Sequence, residues 1–129
     1  MKAKISVKSD LLDGGYHEFP AIYNDYESYL KVVWKEKFDD DEEESIFELT
    51  YDKELKEAVL VRKGGISSRM VFKKGVTTQG AVTSRYGTIP VEFYTNNLCM
   101  PDKVSNRICI DYEIVGTTKN TFEAVLNFQ

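Results

Sequence analysis

Apolar residues occupy every second position over much of the chain, which is the period of a half-buried β-strand. The pattern is clearest between residues 107 and 115. Its apolar face there consists of Ile108, Ile110, Tyr112 and Ile114. Similar segments recur from the first residues to the last, and they predict about nine or ten strands. The sequence therefore favours an all-β protein.

Glycines divide the central strands. Gly64 and Gly65 separate Ala58–Lys63 from Ile66–Lys73, and such a dipeptide suits a primed hairpin turn. Farther on, Gly80 interrupts a Thr-rich strand, where a glycine often marks a bulge or a sharp bend.

Three longer connections are expected. Six consecutive acids at Asp39–Glu44 repel one another and cannot be buried unpaired, so they predict a solvated loop. The stretch Asp52–Glu57 is helix-friendly but short, which favours a hairpin connection or one helical turn. Asn96–Ser105 is predicted to be a second long loop.

The spacing of the strands leaves no room for crossover helices, so the sheet should be an antiparallel meander. Several strands are long, and many twisted strands tend to close on themselves. We predict an up-and-down barrel of about 8–10 strands, with a sandwich as the alternative. The 129 residues, of which 42% are hydrophobic, suit a single domain over residues 1–129.

Charge is unevenly distributed within a net charge of −4. Residues 1–51 carry six basic and thirteen acidic groups, residues 52–85 eight and three, and residues 86–129 three and five. The local sums of −7, +5 and −2 could favour a protein partner through complementary surfaces. The acidic balance argues against nucleic acid.

Targeting segments and cysteines indicate the cellular compartment. The alternating N-terminus is unlike a signal peptide, and no stretch is long enough to span a membrane. Cys99 and Cys109 are the only cysteines, and without an export signal we expect them to be reduced. These features predict a cytoplasmic protein without membrane association.

Short motifs around the central hairpin resemble the YwiB-like family of small bacterial cytosolic proteins of unknown function. The residues concerned are Arg62, Gly64, Phe72, Gly75, Tyr86-Gly87 and Thr95. The resemblance covers roughly residues 58–96, and Val82 stands where the family pattern has a tyrosine. It implies a calycin-like β-barrel, related in shape to lipocalins, whose interior can hold a small apolar ligand.

Catalytic chemistry has little support. His17 is the only histidine, has no catalytic or zinc-binding neighbour in the sequence, and is interpreted as a surface or strand-end residue. Four acids lie on the polar faces of the last strands, where solvent exposure is the default reading. They are Glu92, Asp111, Glu113 and Glu123. We predict no catalytic residue, metal or cofactor, and favour a protein that is not an enzyme.

Arginines of the basic segment are the best candidates for ligand contacts. If two of them met at the barrel mouth, their donors could hold a carboxylate or phosphate while apolar residues took the tail. The alternative is that they cover the outer surface. The predicted ligand-binding residues are Arg62, Arg69, Arg85, Trp34, Tyr94 and Tyr112.

Two hypotheses follow. One is a barrel that binds a small amphiphilic or anionic ligand, which requires a continuous cavity and an inward arginine. The other is a protein-interaction module with a packed core, whose outer face carries the function. The binding hypothesis would fail if the interior were solid, with the predicted core residues in mutual contact. These are Leu30, Trp34, Phe93, Ile110 and Phe122.

Overall fold

The alternating pattern becomes a closed ring of antiparallel strands in the computed structural model, which describes residues 1–9, 15–37, 44–117 and 119–128. Strands and turns, without a helix, make up this part of the chain. Its ten strands are β1 Lys2–Ser9, β2 Tyr16–Asp25, β3 Tyr29–Glu36, β4 Ser45–Asp52, β5 Glu57–Lys63, β6 Ser67–Lys73, β7 Thr77–Ser84, β8 Gly87–Cys99, β9 Arg107–Ile114 and β10 Lys119–Phe128.

Each strand pairs with its neighbours in sequence, and β1 also pairs with β10. The closing ladder runs from Ala3 opposite Phe128 to Ser9 opposite Phe122. Closure removes open sheet edges, which is how long twisted strands satisfy their backbone groups. The predicted antiparallel barrel is confirmed, and the sandwich alternative is wrong.

Two predicted connections need correction. The segment 64–66 joins β5 to β6, and neither Gly64 nor Gly65 has the positive φ of a primed turn. The turn at Lys53–Lys56 joins antiparallel β4 and β5, as the predicted hairpin connection does. Instead of ending near Asn96, β8 passes through a register shift and continues to Cys99. The acidic run, apart from exposed Glu44, lies outside the described residues.

One face of every strand except β7 contributes to a contiguous hydrophobic core. Phe72 lies within 5.7 Å of Phe93 and 4.9 Å of Tyr112, between ring centroids. The indole of Trp34 stacks on Phe47 at 5.3 Å and on Phe122 at 6.2 Å. Leu30 and Ile110 belong to the same cluster. The barrel centre is therefore occupied by side chains rather than by the continuous cavity that the binding hypothesis requires, so a ligand could bind only toward an end.

The ladder between β6 and β7 is short. It stops at Arg69 opposite Ala81, next to Gly80, where a bulge or bend was predicted. A Cβ at Gly80 would lie 2.1 Å from the Arg69 carbonyl oxygen and 2.8 Å from Phe93 Cε2. Beyond this point the Thr78 hydroxyl donates to the Val71 carbonyl. The absence of a side chain at Gly80 thus allows the two strands to approach.

The two ends of the barrel differ in their connections. The segments 64–66 and 85–86 lie at one end, which we call the Arg62 end. The segments 26–28, 53–56, 74–76 and 100–106 lie at the opposite end.

A candidate ligand site at the Arg62 end

Three of the six predicted ligand-binding residues point into the barrel. Arg62 and Tyr112 are half-buried on inner positions, and Trp34 is 1% exposed. Arg69 is out of phase with the core residue Phe72, and Tyr94 with the core residue Phe93, so both lie on the outer face. The predicted meeting of arginines therefore does not occur on the inner face.

The third arginine of the prediction is engaged locally. Arg85 lies in the exposed turn between β7 and β8, and its guanidinium stacks over the Tyr86 ring at 4.9 Å. Its Nη2 also donates to the Tyr86 hydroxyl at 2.6 Å. Both groups are exposed, so this contact belongs to the surface of the hairpin.

Arg62 is held on the inner face by its strand neighbours. It follows Ala58 and Leu60 in the period of β5 and pairs with Phe47 of β4. Its guanidinium carbon lies 5.5 Å from the centroid of the Phe47 ring, within the range of a cation–π contact. Nη2 donates to the Ser45 hydroxyl at 3.4 Å. Nε is buried and has no acceptor among the described residues.

Glu36 is a buried acid at the same end. It continues the inner face of β3 after Trp34, and its Oε2 accepts a hydrogen bond from Trp34 Nε1 at 3.4 Å. Burial raises the pKa of Glu36 above its ordinary value, against the lowering effects of the Trp34 hydrogen bond and of the charges on Arg62 and His17. A buried carboxylate is costly, so this end takes up a proton more readily than an exposed acid would.

His17 completes the group. It lies opposite Val7 in the register between β1 and β2 and is half-buried on the inner side. Its position near the start of β2 fits the predicted strand-end residue, but its electrostatic effect on Glu36 places it with the inner residues. We call the group the polar end cluster; it consists of His17, Trp34, Glu36, Ser45 and Arg62.

An apolar surface adjoins Arg62. Following the paired residues from strand to strand, Arg62 is opposite Ser68, Ser68 opposite Val82, and Val82 opposite Ile89. The hairpin of β7 and β8 extends beyond the end of β9, whose last pair joins Ile114 to Phe93. Ile89 is therefore 65% exposed although it lies on the inner face. A charged donor and exposed apolar side chains thus share one row of the barrel.

Sequence reasoning missed Glu36 and Ser45 as site residues. A signal for Glu36 was present, because it follows Leu30, Val32 and Trp34 at the same period of two. An acid on an apolar face is an exception that marks a candidate site. Ser45 follows the acidic run and carries no comparable signal.

Two of the four acids on the last strands accept hydrogen bonds from neighbouring side chains. Glu123 accepts from Arg107 Nη2 at 2.8 Å and from the Tyr16 hydroxyl at 3.3 Å. Asp111 accepts from the Thr121 hydroxyl at 3.0 Å. Within the described ranges, histidines, cysteines and acids form no group of three or more suited to a metal. The same ranges contain no helix long and apolar enough to cross a membrane.

A groove of about 380 Å³ lies at the opposite end of the barrel. Its wall is the connection between β8 and β9, with Val104 93% exposed. Asp102 organises this connection, since its Oδ1 accepts from the backbone N–H groups of Val104 and Ser105, both at 2.8 Å. The other lining residues are Tyr23, Asp25, Pro101, Lys103, Asn106 and Phe128.

Comparison with known proteins identifies the family. The model of the family "Domain of unknown function (DUF1934)" matches residues 20–126. The chain belongs to this family. Among solved structures, this DUF1934 member is similar to the ywiB protein from Bacillus subtilis, with a TM-score of 0.70 and 16% identity over 99% of this chain and 91% of that one. This likeness shows the barrel fold, and the predicted YwiB-like resemblance is confirmed. A search of curated proteins found no match.

Proposed function

We propose that this barrel binds a small amphiphilic anion, such as a monocarboxylate, at the Arg62 end. The observation that carries the proposal is the inward guanidinium of Arg62, whose buried Nε lacks an acceptor among the described residues. The N–H groups of a guanidinium donate well to a carboxylate, which can accept two of them at once. Unpartnered buried donors are costly, so a bound acceptor would offset that cost.

The surroundings of Arg62 support an amphiphile over a simple anion. Ser68, in the next strand, offers a hydroxyl beside the guanidinium, and Val82 and Ile89 continue the same row. An aliphatic tail lying along this row would cover Ile89, which is otherwise exposed. Val82 gives this row an apolar wall next to Ser68.

The filled core limits how deeply the ligand enters. Trp34 and Phe47 stack below Arg62, so the head group would lie above this pair rather than in the barrel centre. Glu36 opposes an anion, but its raised pKa allows a proton to reduce that repulsion. The proposal thus predicts that removing the Glu36 charge tightens binding.

The test is a titration with sodium octanoate, followed by the fluorescence of Trp34, the only tryptophan. We expect a saturable change, weakened about tenfold or more in Arg62→Gln because a hydrogen bond to a charged group is lost. Arg69→Gln is the matched control, since Arg69 is exposed on the neighbouring strand. Glu36→Gln should bind more tightly. Equal affinity of the two arginine variants, or no saturable change with the native protein, would refute the proposal.

A protein-interaction barrel is the second candidate, favoured by the contiguous packed core. Such a module would use its outer face, where the acidic first segment and the basic central segment differ in charge. Native mass spectrometry of the protein purified gently from its source distinguishes the two candidates. A small adduct that is lost on denaturation supports the ligand, and a stoichiometric protein complex at low salt supports the interaction module.

A further inference from the structure

The two cysteines are direct partners across neighbouring strands. Cys99 of β8 lies opposite Cys109 of β9, flanked by Leu98 opposite Ile110. Cys109 is out of phase with the buried Ile108 and Ile110 of β9, and Cys99 pairs with it beyond the register shift in β8, so both side chains share the outer face. Cys99 is exposed, Cys109 is half-buried, and their sulfurs are not bonded to each other.

The backbone register defines the kind of pair. Leu126 N–H donates to the Asn106 carbonyl at 2.9 Å, so even-numbered residues along this part of β9 direct their backbone groups toward β10. Cys109 therefore directs its own backbone groups toward β8, which makes Cys99 and Cys109 a hydrogen-bonded pair. Such pairs have Cα atoms about 5.5 Å apart, within the roughly 4.4–6.8 Å that a disulfide spans.

A disulfide at this position would be strained. Directly opposite Cβ atoms in a hydrogen-bonded pair lie about 5.5 Å apart, whereas a relaxed disulfide prefers about 3.8 Å. The strands must approach locally for the bond to form, and strained, exposed disulfides are the readily reduced ones. The geometry thus favours a bond that forms and breaks rather than a permanent one.

We propose that Cys99 and Cys109 form a reversible intramolecular disulfide when the protein meets a hydroperoxide. The exposed Cys99 thiolate attacks the peroxide oxygen, the O–O bond breaks, and Cys99 becomes a sulfenic acid as one water is released. Cys109 sulfur then attacks Cys99 Sγ, forming the S–S bond and releasing a second water. Two thiols are oxidised and one hydrogen peroxide is reduced to two waters.

The surroundings assign the order of the two steps. Burial raises the pKa of Cys109, and the nearby charges of Asp111 and Glu123 raise it further, against a lowering effect of Arg107. A raised pKa reduces the thiolate fraction, so Cys109 is the poorer first nucleophile. Its position opposite Cys99 suits the second, resolving step.

The bond would close the base of the connection between β8 and β9. Residues 101–106 of that connection line the groove at the opposite end of the barrel. Cross-linking the two strands restricts the open conformations of the segment between them. Oxidation is thus expected to slow amide exchange in residues 102–106.

The test is intact mass spectrometry of the reduced, full-length protein treated with hydrogen peroxide under native conditions. We expect a monomer that has lost two hydrogen atoms, with joined Cys99 and Cys109 peptides, and full reversal by dithiothreitol. In Cys109→Ser, dimedone should trap a sulfenic acid at Cys99 faster than it traps one at Cys109 in Cys99→Ser.

Three outcomes would overturn the proposal. They are oxygen addition to both cysteines without a disulfide, a disulfide only between two chains, and an intramolecular bond that forms only in denaturant. The measurement on the native protein decides the matter even if a serine variant fails to fold.

Discussion

Replacing Gly80 by alanine should destabilise the barrel at its shortest ladder. The new Cβ would lie 2.1 Å from the Arg69 carbonyl oxygen and 2.8 Å from Phe93 Cε2. An ordinary contact needs about 3.5 Å, so the oxygen and the methyl group must separate by about 1.4 Å. Because the oxygen belongs to the backbone of β6, the strand itself has to move.

The cost follows from that movement. Overpacking typically costs about 1–3 kcal/mol, and the shift of a backbone atom places Gly80→Ala at the upper end, about 3 kcal/mol. For a domain of this size that corresponds to a fall in Tm of about 10 °C. The assay is guanidinium chloride unfolding followed by Trp34 fluorescence, because Trp34 is 1% exposed in the folded barrel.

Gly64→Ala is the matched control. Its Cβ would lie 2.9 Å from Ser45 Oγ, the end of a side chain that can rotate away, so the free energy of unfolding should change by less than about 1 kcal/mol. If Gly80→Ala is as stable as the native protein, or no less stable than Gly64→Ala, the close approach of β6 and β7 is not as described.

Two further substitutions test buried polar groups, each by chemical unfolding. Thr95 is fully buried, and its hydroxyl has no hydrogen-bond partner among the described residues. Thr95→Val should therefore raise the free energy of unfolding by about 1 kcal/mol. A loss of stability would contradict the view that the hydroxyl is unpaired. The pKa of Glu36 is raised in the folded state, so the folded barrel binds the proton of this carboxyl group more tightly than the unfolded chain does. Glu36 therefore favours folding below about pH 4 and loses that contribution as the pH rises through the folded pKa. Glu36→Gln should therefore be more stable than the native protein near neutral pH, with the difference vanishing in acid, and a difference independent of pH would contradict the assignment.

The alternation of apolar and polar residues predicts most of the fold. The inner face of β9 follows from it directly, as does that of β3 from Leu30 to Trp34, since each of these inner positions is an apolar residue two places from the last. The primed turn at Gly64-Gly65 was predicted wrongly, because a glycine permits positive φ without requiring it. The end of β8 was also misplaced, since Asn96 and Asn97 resemble a loop in sequence but occupy a register shift within the strand.

The site was less predictable because it depends on which strands meet. Arg62 and Arg69 belong to the same basic segment, yet Arg62 is on the inner face of its strand and Arg69 is on the outer face of the next. Only the register between β4 and β5 shows that Arg62 lies beside Phe47. The register between β2 and β3, in which Ala21 is opposite Trp34, brings His17 into the environment of Glu36. The Cys99–Cys109 pairing likewise needs the bulge in β8 to bring the two residues into register.

The polar end cluster also predicts that removing its charges abolishes binding without lowering the stability of the barrel. Arg62 and Glu36 occupy inner positions that apolar side chains could fill, and buried charges often stabilise a fold less than apolar residues of similar size. The double variant Arg62→Met with Glu36→Gln removes both charges together, so it leaves neither one buried alone. We expect unfolding to require at least as much denaturant as in the native protein, while octanoate binding is lost. A marked loss of stability would instead assign the two charges a structural role, because a site kept for binding should be dispensable for folding.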